Sequence, residues 1–223
     1  MKITKTEVCG FMSAMRAMRN PMNSWYLNDS FEGMTNEFIL GDNDKNLAQR
    51  LINSGNEHMK FLRTVQVWAD FDMTRFFWSE MDTYKFNSKN SCSTIHKLLN
   101  PKNEITMDMF DFYGEDADVV IPIVIRLNEI RELFLSTKVF EEQRVLKRRA
   151  KTLLLEGFLQ LRTVNTNYAE LRNIMLQRKN HQMKEDWQEC MCHWITTLPY
   201  AKELIFCGYE DDFNRLQELG GNK

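Results

Sequence analysis

Residues 85–94 place Asn87, Ser88, Asn90, Ser91 and Ser93 within seven positions, interleaved with Lys85 and Lys89. Amides and hydroxyls both donate and accept hydrogen bonds, so this set can surround a polar ligand, with two ammonium groups for an anion. The same composition describes a solvated surface loop, and residue types alone leave both readings open. A second arrangement lies at residues 167–178, where Asn167 and Arg178 are eleven residues apart. Eleven residues make about three helical turns, which puts the two on one azimuth with Leu171 and Ile174 between them. Such a face packs its middle on a core and projects an amide and a guanidinium at its ends.

Other reactive residue types fall away on spacing. Cys190-x-Cys192-His193 has no second Cys/His pair at zinc-ligand spacing, and Cys190 falls on an apolar stripe with Trp187, Met191, Trp194 and Leu198, so it reads as a structural thiol. Cys92 with His58 or His96 is a nucleophile–base pair in type only. No glycine-rich phosphate loop occurs. Glu80 and Asp82, inside an aromatic helix, are expected to be ion-paired.

The elements that must position these residues are mostly helical. An edge strand is expected over 2–8, broken by Gly10, and a helix over 11–18. A turn follows at 19–25 around Pro21, then an irregular, flexible loop over 26–41. A helix over 44–53 ends at Gly55. Residues 61–71 read as a strand, 74–84 as a helix and 85–94 as a polar loop. After a loop at 100–115, a long helix begins near Asp118, which tolerates Pro122 only in its first turn. Its expected buried face is Ile123, Leu127, Ile130 and Phe134. A basic helix spans 140–152, a charge run of the kind that is usually a solvated face. A strand at 158–164, a helix at 167–177 and an amphipathic helix at 185–198 follow, the last stopped by Pro199. Residues 208–223 read as a frayed tail. The pattern is α+β in one domain, 1–223, with several helices on a small antiparallel sheet.

Composition narrows the function classes. The net charge of −2 argues against a general nucleic-acid binder. No apolar run is long enough to span a bilayer and no signal-like segment opens the chain, so a cytoplasmic protein without a membrane partner is expected. Five cysteines, an odd number, suit a reducing compartment. Fourteen methionines and fifteen phenylalanines suit an adaptable core or a broad apolar contact surface.

Residues 167–178 resemble the N-x-R-x-L-x-N-F-L-x-L-R helix of the flavin-dependent thymidylate synthases, with Asn167, Leu171, Asn173 and Arg178 at the same spacing. Ala169 stands where that family has its first arginine. The preceding segment is similar too: Lys151 falls on a basic residue, Leu155 on a proline and Thr166-Asn167 on a strand end. Upstream, His58 lies on the family's G-H-x-[ST]-x-x-E-H histidine, Lys60 on the Ser/Thr and Arg63 on the glutamate. The signature R-H-R-x-x-S-x-N-E-x-S-x-R-Y corresponds to Thr83-Tyr84-Lys85, Ser88, Asn90, Ser91, Ser93, Ile95 and His96. Residues 13–19 are similar to an A-R-A-A-R-V-S region, with Ser24 a displaced equivalent of its serine. The phrases MRNPMNSW and DTYK…NSCSTxHK resemble a divergent branch found in phages and prophages.

The resemblance implies a homotetramer binding FAD and dUMP at subunit interfaces. NADPH would be the reductant and methylenetetrahydrofolate the carbon donor, with placement and charge neutralisation left to the protein. Carried over by position, His58, Asn90, Asn167 and Asn173 face the flavin. Lys85, Ser88, Ser91, Ser93, Lys151 and Arg178 hold the nucleotide, the last two by neutralising its phosphate and recognising its base. Thr83, Tyr84, Ser91, Ile95 and Ala169 each replace a charged or imidazole group of the pattern. Every charge-assisted hydrogen bond so lost forfeits roughly 1.5–3 kcal/mol. The resemblance thus implies an enzyme of the thymidylate synthase type, acting on dUMP or a related nucleotide. The degenerate signature also fits a protein that kept the pocket and sequesters a nucleotide without reaction. The methionine and phenylalanine content leaves a purely structural oligomer as a third class.

Overall fold

The computed structural model describes residues 1–219. The expected α+β class is what the chain adopts. Its strands are β1 (Lys2–Cys9), β2 (Phe31–Glu32), β3 (Phe38–Ile39), β4 (Gln66–Thr74), β5 (Ser88–Ser91) and β6 (Leu159–Asn167). Its helices are α1 (Phe11–Arg19), α2 (Asp42–Asn53), α3 (Arg75–Met81), α4 (Thr94–Leu98), α5 (Ala117–Ser136), α6 (Phe140–Thr152), α7 (Tyr168–Arg178), α8 (His193–Thr196) and α9 (Glu210–Glu218). One sheet has the order β1-β4-β6-β5, with β1 at an edge as expected, and β2 pairs antiparallel with β3. The chain divides into two compact units.

The smaller unit holds Phe71–Thr83 and Asn90–Thr163. Its core gathers Val120, Val124, Leu127 and Ile130 of α5 with Leu146 and Ala150 of α6 and with Leu98, Ile105, Phe110 and Phe158. The expected α5 face is correct at Leu127 and Ile130, whereas Ile123 and Phe134 lie at its margin, only partly buried. Pro122 sits inside α5 rather than in its first turn. The bond it forgoes is to the carbonyl of Asp118, an exposed residue whose carbonyl solvent can reach. The loop before α5 is secured by Asn128, whose amide donates to the Ile105 carbonyl (2.8 Å) and accepts from the Ile105 N–H (2.9 Å). Arg131 donates to the Asn100 and Pro101 carbonyls. Asp82 is ion-paired, as expected, with Arg162 at 3.2 Å.

The larger unit holds Ile3–Asp70, Tyr84–Lys89 and the chain from Val164 onward. Gly10, at φ 96°, lets β1 turn into α1, and a Cβ there would stand 2.4 Å from the Thr64 carbonyl oxygen. Met15 and Met18 of α1, Ala48 and Ile52 of α2, and Leu171, Ile174 and Met175 of α7 are buried. Arg19 and Asp44, only 3% and 0% exposed, form an ion pair at 2.6 Å.

Four expectations need correction here. The 26–41 stretch is an ordered hairpin, Phe31 opposite Ile39, because its polar residues are caps: the Asp29 carboxylate accepts from the Asn43 and Asp44 N–H groups at the start of α2. The 61–71 strand begins only at Gln66. Met59–Thr64 is a 3-10 turn, in which the consecutive residues Phe61 and Leu62 are both buried, something an alternating strand face cannot do. The single helix at 185–198 is a π-helical segment, Glu185–Cys192, running into α8; its wider turn makes Cys192 the buried thiol and leaves Cys190 half-buried. The tail is not frayed over α9: Phe213 and Leu216 are buried, and Asp212 pairs with Lys179 and Arg215. Residues 220–223 of that expected tail lie outside the described residues.

Candidate functional site

The helix α7 forms where the sequence suggested, and Asn167 is its N-cap. Asn167 has extended backbone (φ −145°) and its side-chain oxygen accepts the Glu170 N–H at 3.0 Å. Its amide nitrogen donates to the Phe86 carbonyl at 3.4 Å. Glu170, 4% exposed, accepts the Phe86 N–H (3.4 Å) on one oxygen and the Asn173 amide (3.5 Å) on the other. Asn173 in turn accepts from Gln177 at 2.9 Å. Both backbone groups of Phe86 are thereby held by the first turn of α7. Asn87 helps to shape the segment by donating to the Tyr84 carbonyl at 2.9 Å.

The far end of α7 carries an aromatic cluster. Arg178 donates through Nε to the Tyr84 hydroxyl at 2.8 Å, and its guanidinium lies 4.3 Å from the centre of the Trp187 ring. Its Nη1 stands 2.7 Å from His181 Nε2. The Tyr84 hydroxyl is also 3.1 Å from the Gln177 side-chain oxygen. Burial pushes the Tyr84 phenol above its usual range, and the hydrogen bond and charge of Arg178 only partly offset this. Trp187 comes from the π-helical segment, whose widened turn sets the indole beneath the guanidinium. Arg178 is thus half-buried and held by three ring systems rather than extended from the helix end.

The structure therefore brings Asn167, Asn173 and Arg178 together with residues 84–87 in one unit. His58 is in the same unit, exposed at the start of the Met59–Thr64 turn, and makes no side-chain hydrogen bond among the described residues. Lys85 and Ser88 are exposed there. Asn90, Ser91, Ser93 and Lys151 belong to the smaller unit. The polar stretch is not a loop, as expected, but carries β5 over Ser88–Ser91; strand alternation sends Ser88 and Asn90 to one face and Lys89 and Ser91 to the other. The five small side chains thus do not converge. The Ser93 hydroxyl caps α4 by accepting the His96 N–H at 3.5 Å, and Lys151 is exposed in the last turn of α6. Among the described residues no group of three or more His, Cys, Asp or Glu could hold a metal ion.

Sequence reasoning missed Glu170, Tyr84 and Trp187. For Glu170 a signal existed: Asn167-x-x-Glu170 has capping-box spacing, which places an acid against the first turn. Tyr84 was read only as an absent imidazole, and nothing local connects it to Arg178, 94 residues away.

This fold is that of the flavin-dependent thymidylate synthases. Two solved structures share it, both of thymidylate synthase ThyX from Helicobacter pylori with FAD and dUMP. One matches at TM-score 0.67 with 19% identity, over 92% of this chain and 98% of the other. The second, determined at 2.31 Å, matches at TM-score 0.68 with 20% identity, over 96% and 99%. No family model and no curated protein matches the sequence. No helix among the described residues is long and apolar enough to cross a membrane.

Proposed function

We propose that this protein binds a pyrimidine nucleotide together with FAD, with the flavin and base edges read by the amide groups of α7. The observation that carries the reading is the fold, shared over nearly the whole length of both chains with enzymes bound to FAD and dUMP. The donor set fits. A side-chain amide has two N–H groups and an oxygen with two lone pairs. Asn167 and Asn173 each spend one N–H and one lone pair within the protein, which leaves each a donor and an acceptor for a pyrimidine-type edge. Bound FAD would supply the reducing equivalents of a methyl transfer to dUMP or a related nucleotide, with NADPH and methylenetetrahydrofolate as co-substrates. The chain's own task is to hold rings and neutralise phosphates. Lys85, Lys151 and Arg178 are the cations for the latter, and assembly into a homotetramer would combine residues of both units from different copies. His58, Asn90, Ser88, Ser91 and Ser93 complete this proposed set.

A second reading is nucleotide binding without synthesis, and the Tyr84 contact favours it. The guanidinium assigned to the nucleotide is held by a phenol where the resembling pattern has an imidazole, so any ligand meets an arginine already stacked and hydrogen-bonded. Purified full-length protein decides between the two. A bound-flavin spectrum with dTMP formed from dUMP is the outcome expected of the enzyme. A colourless protein whose melting temperature rises with dUMP is the outcome of sequestration. Neither flavin nor any dUMP-dependent stabilisation would refute both.

A further inference from the structure

Outside the α7 region, the smaller unit contains a hollow of about 590 Å³ on the α5–α6 helix pair. Four guanidiniums line it: Arg126 from α5 and Arg144, Arg148 and Arg149 from α6. Val145 and Leu153 line it as well, each with an exposed apolar side chain. The arginines divide into two pairs. Arg126 is bonded to Glu129, and Arg144 forks onto Glu141, with Nε 2.9 and 3.0 Å from the two carboxylate oxygens. Arg148 and Arg149 have no side-chain partner among the described residues. Arg149 also borders an adjoining hollow of about 450 Å³ that carries Glu141 and Glu142, yet pairs with neither. Two consecutive arginines of α6 therefore line one hollow with no side-chain ion pair among the described residues.

We propose that this hollow binds an organic phosphate: the phosphoryl group is forked by Arg148 and Arg149, and an apolar or ring portion lies against Val145 and Leu153. The chemistry is specific. A planar guanidinium matches two phosphate oxygens at once, and a dianion relieves the repulsion between the two arginines. The volume falls in the range of small-molecule sites, and apolar walls beside a few convergent polar groups are how such sites orient a ligand. A solvated basic face would be convex; here the arginines line a concavity that also has an apolar wall. The site is separate from the amide edge of α7 and stands or falls independently of the proposed function.

The test is isothermal titration of the full-length protein with phenyl phosphate and, separately, with inorganic phosphate. One phenyl phosphate per chain is expected, bound at least threefold more tightly than inorganic phosphate. Affinity should fall tenfold or more in Arg148→Ala/Arg149→Ala; neither arginine side chain has a hydrogen-bond or ion-pair partner among the described residues, so the melting temperature without ligand should stay at the wild-type value. Arg148→Gln alone, a milder change, should show a partial loss. Lys147→Ala, on the same helix but outside the hollow, should bind as wild type. Equal affinity for the two phosphates would overturn the organic part of the assignment. Unchanged binding in the double variant, or an equal loss in Lys147→Ala, would overturn the site itself and leave only diffuse attraction to a basic helix.

Discussion

Replacing Asn167 separates the two tasks the structure gives that residue. Its side-chain oxygen caps α7 through the Glu170 N–H (3.0 Å), while its amide nitrogen reaches the Phe86 carbonyl by a long 3.4 Å bond and has one N–H to spare. Asn167→Ala removes both tasks. Loss of an N-cap costs about 1 kcal/mol, and a weak hydrogen bond adds roughly 0.5 kcal/mol. For a chain of this size each kcal/mol lowers the melting temperature by about 2–4 °C, so the alanine variant should melt about 3–6 °C lower. Asn167→Ser keeps a good capping oxygen and removes only the amide, so its melting temperature should fall by about 1–2 °C. Binding separates the variants differently. If the spare N–H donates to a flavin or uracil carbonyl, both variants lose a bond of roughly 0.5–1.5 kcal/mol, a 2- to 12-fold rise in Kd. Thermal unfolding and equilibrium titration with FAD and dUMP on the same preparations read both quantities. A serine variant that binds both ligands like wild type removes Asn167 from the site. A serine variant that melts as low as the alanine variant refutes the capping argument.

The buried pair Arg19–Asp44 should matter more for stability than any surface pair. Asp44→Ala strands a guanidinium that is 3% exposed and deletes an oxygen that accepts from the Asp29 and Ser30 N–H groups, at a cost of about 3–5 kcal/mol. Urea unfolding should register that loss, and a change below about 1 kcal/mol would contradict it; Arg19→Met with Asp44→Leu should recover part of it. The five cysteines, all free, should label in order of exposure: Cys9 and Cys92 rapidly, half-buried Cys190 more slowly. Cys192 should label only on unfolding, because burial pushes its thiol up to about 12 and thiolate is the reactive form. Alkylation of Cys192 in native protein at neutral pH, detected by peptide mass, would refute that placement.

Periodicity carried the long elements. Phe140–Thr152 is the helix its pattern predicts, residue for residue, and Asn167 caps the helix it was expected to begin. The elements misread are those in which polar residues serve the backbone rather than solvent. Asp29 looked like a loop residue and is the cap of a helix 13 positions later; Ser93 looked like a ligand group and caps α4. A hydroxyl or carboxylate has the same composition signature whether it meets a substrate or an orphan N–H, so only the partner distinguishes the cases.

The same reasoning explains why the site was half legible. Asn167 and Arg178 stand eleven residues apart on one helix, and helical geometry is local, so their shared face follows from spacing, whereas Asn173 entered only through the family resemblance. Tyr84 reaches Arg178 from 94 residues away and Trp187 from the next helical segment, and no local rule links them; only His181, three residues on, is a neighbour in sequence. That convergence gives the lost imidazole its meaning. Tyr84 does not leave a gap in the pattern; its phenol accepts the Arg178 hydrogen bond and its ring lies tilted against Trp187, the centroids 6.3 Å apart. A substitution that looked like a deletion of charge is, in the fold, an exchange of partners for the cation. The guanidinium gives up part of its freedom, which would lower the entropic cost of binding the proposed phosphate and narrow the orientations from which it can approach. If Arg178 holds the nucleotide as proposed, Tyr84 should change ligand preference rather than abolish binding. Tyr84→His tests this: with Arg178 free of its phenolic acceptor, affinity for dUMP should shift relative to other pyrimidine nucleotides, whereas a variant with an unaltered preference order would sever Tyr84 from specificity.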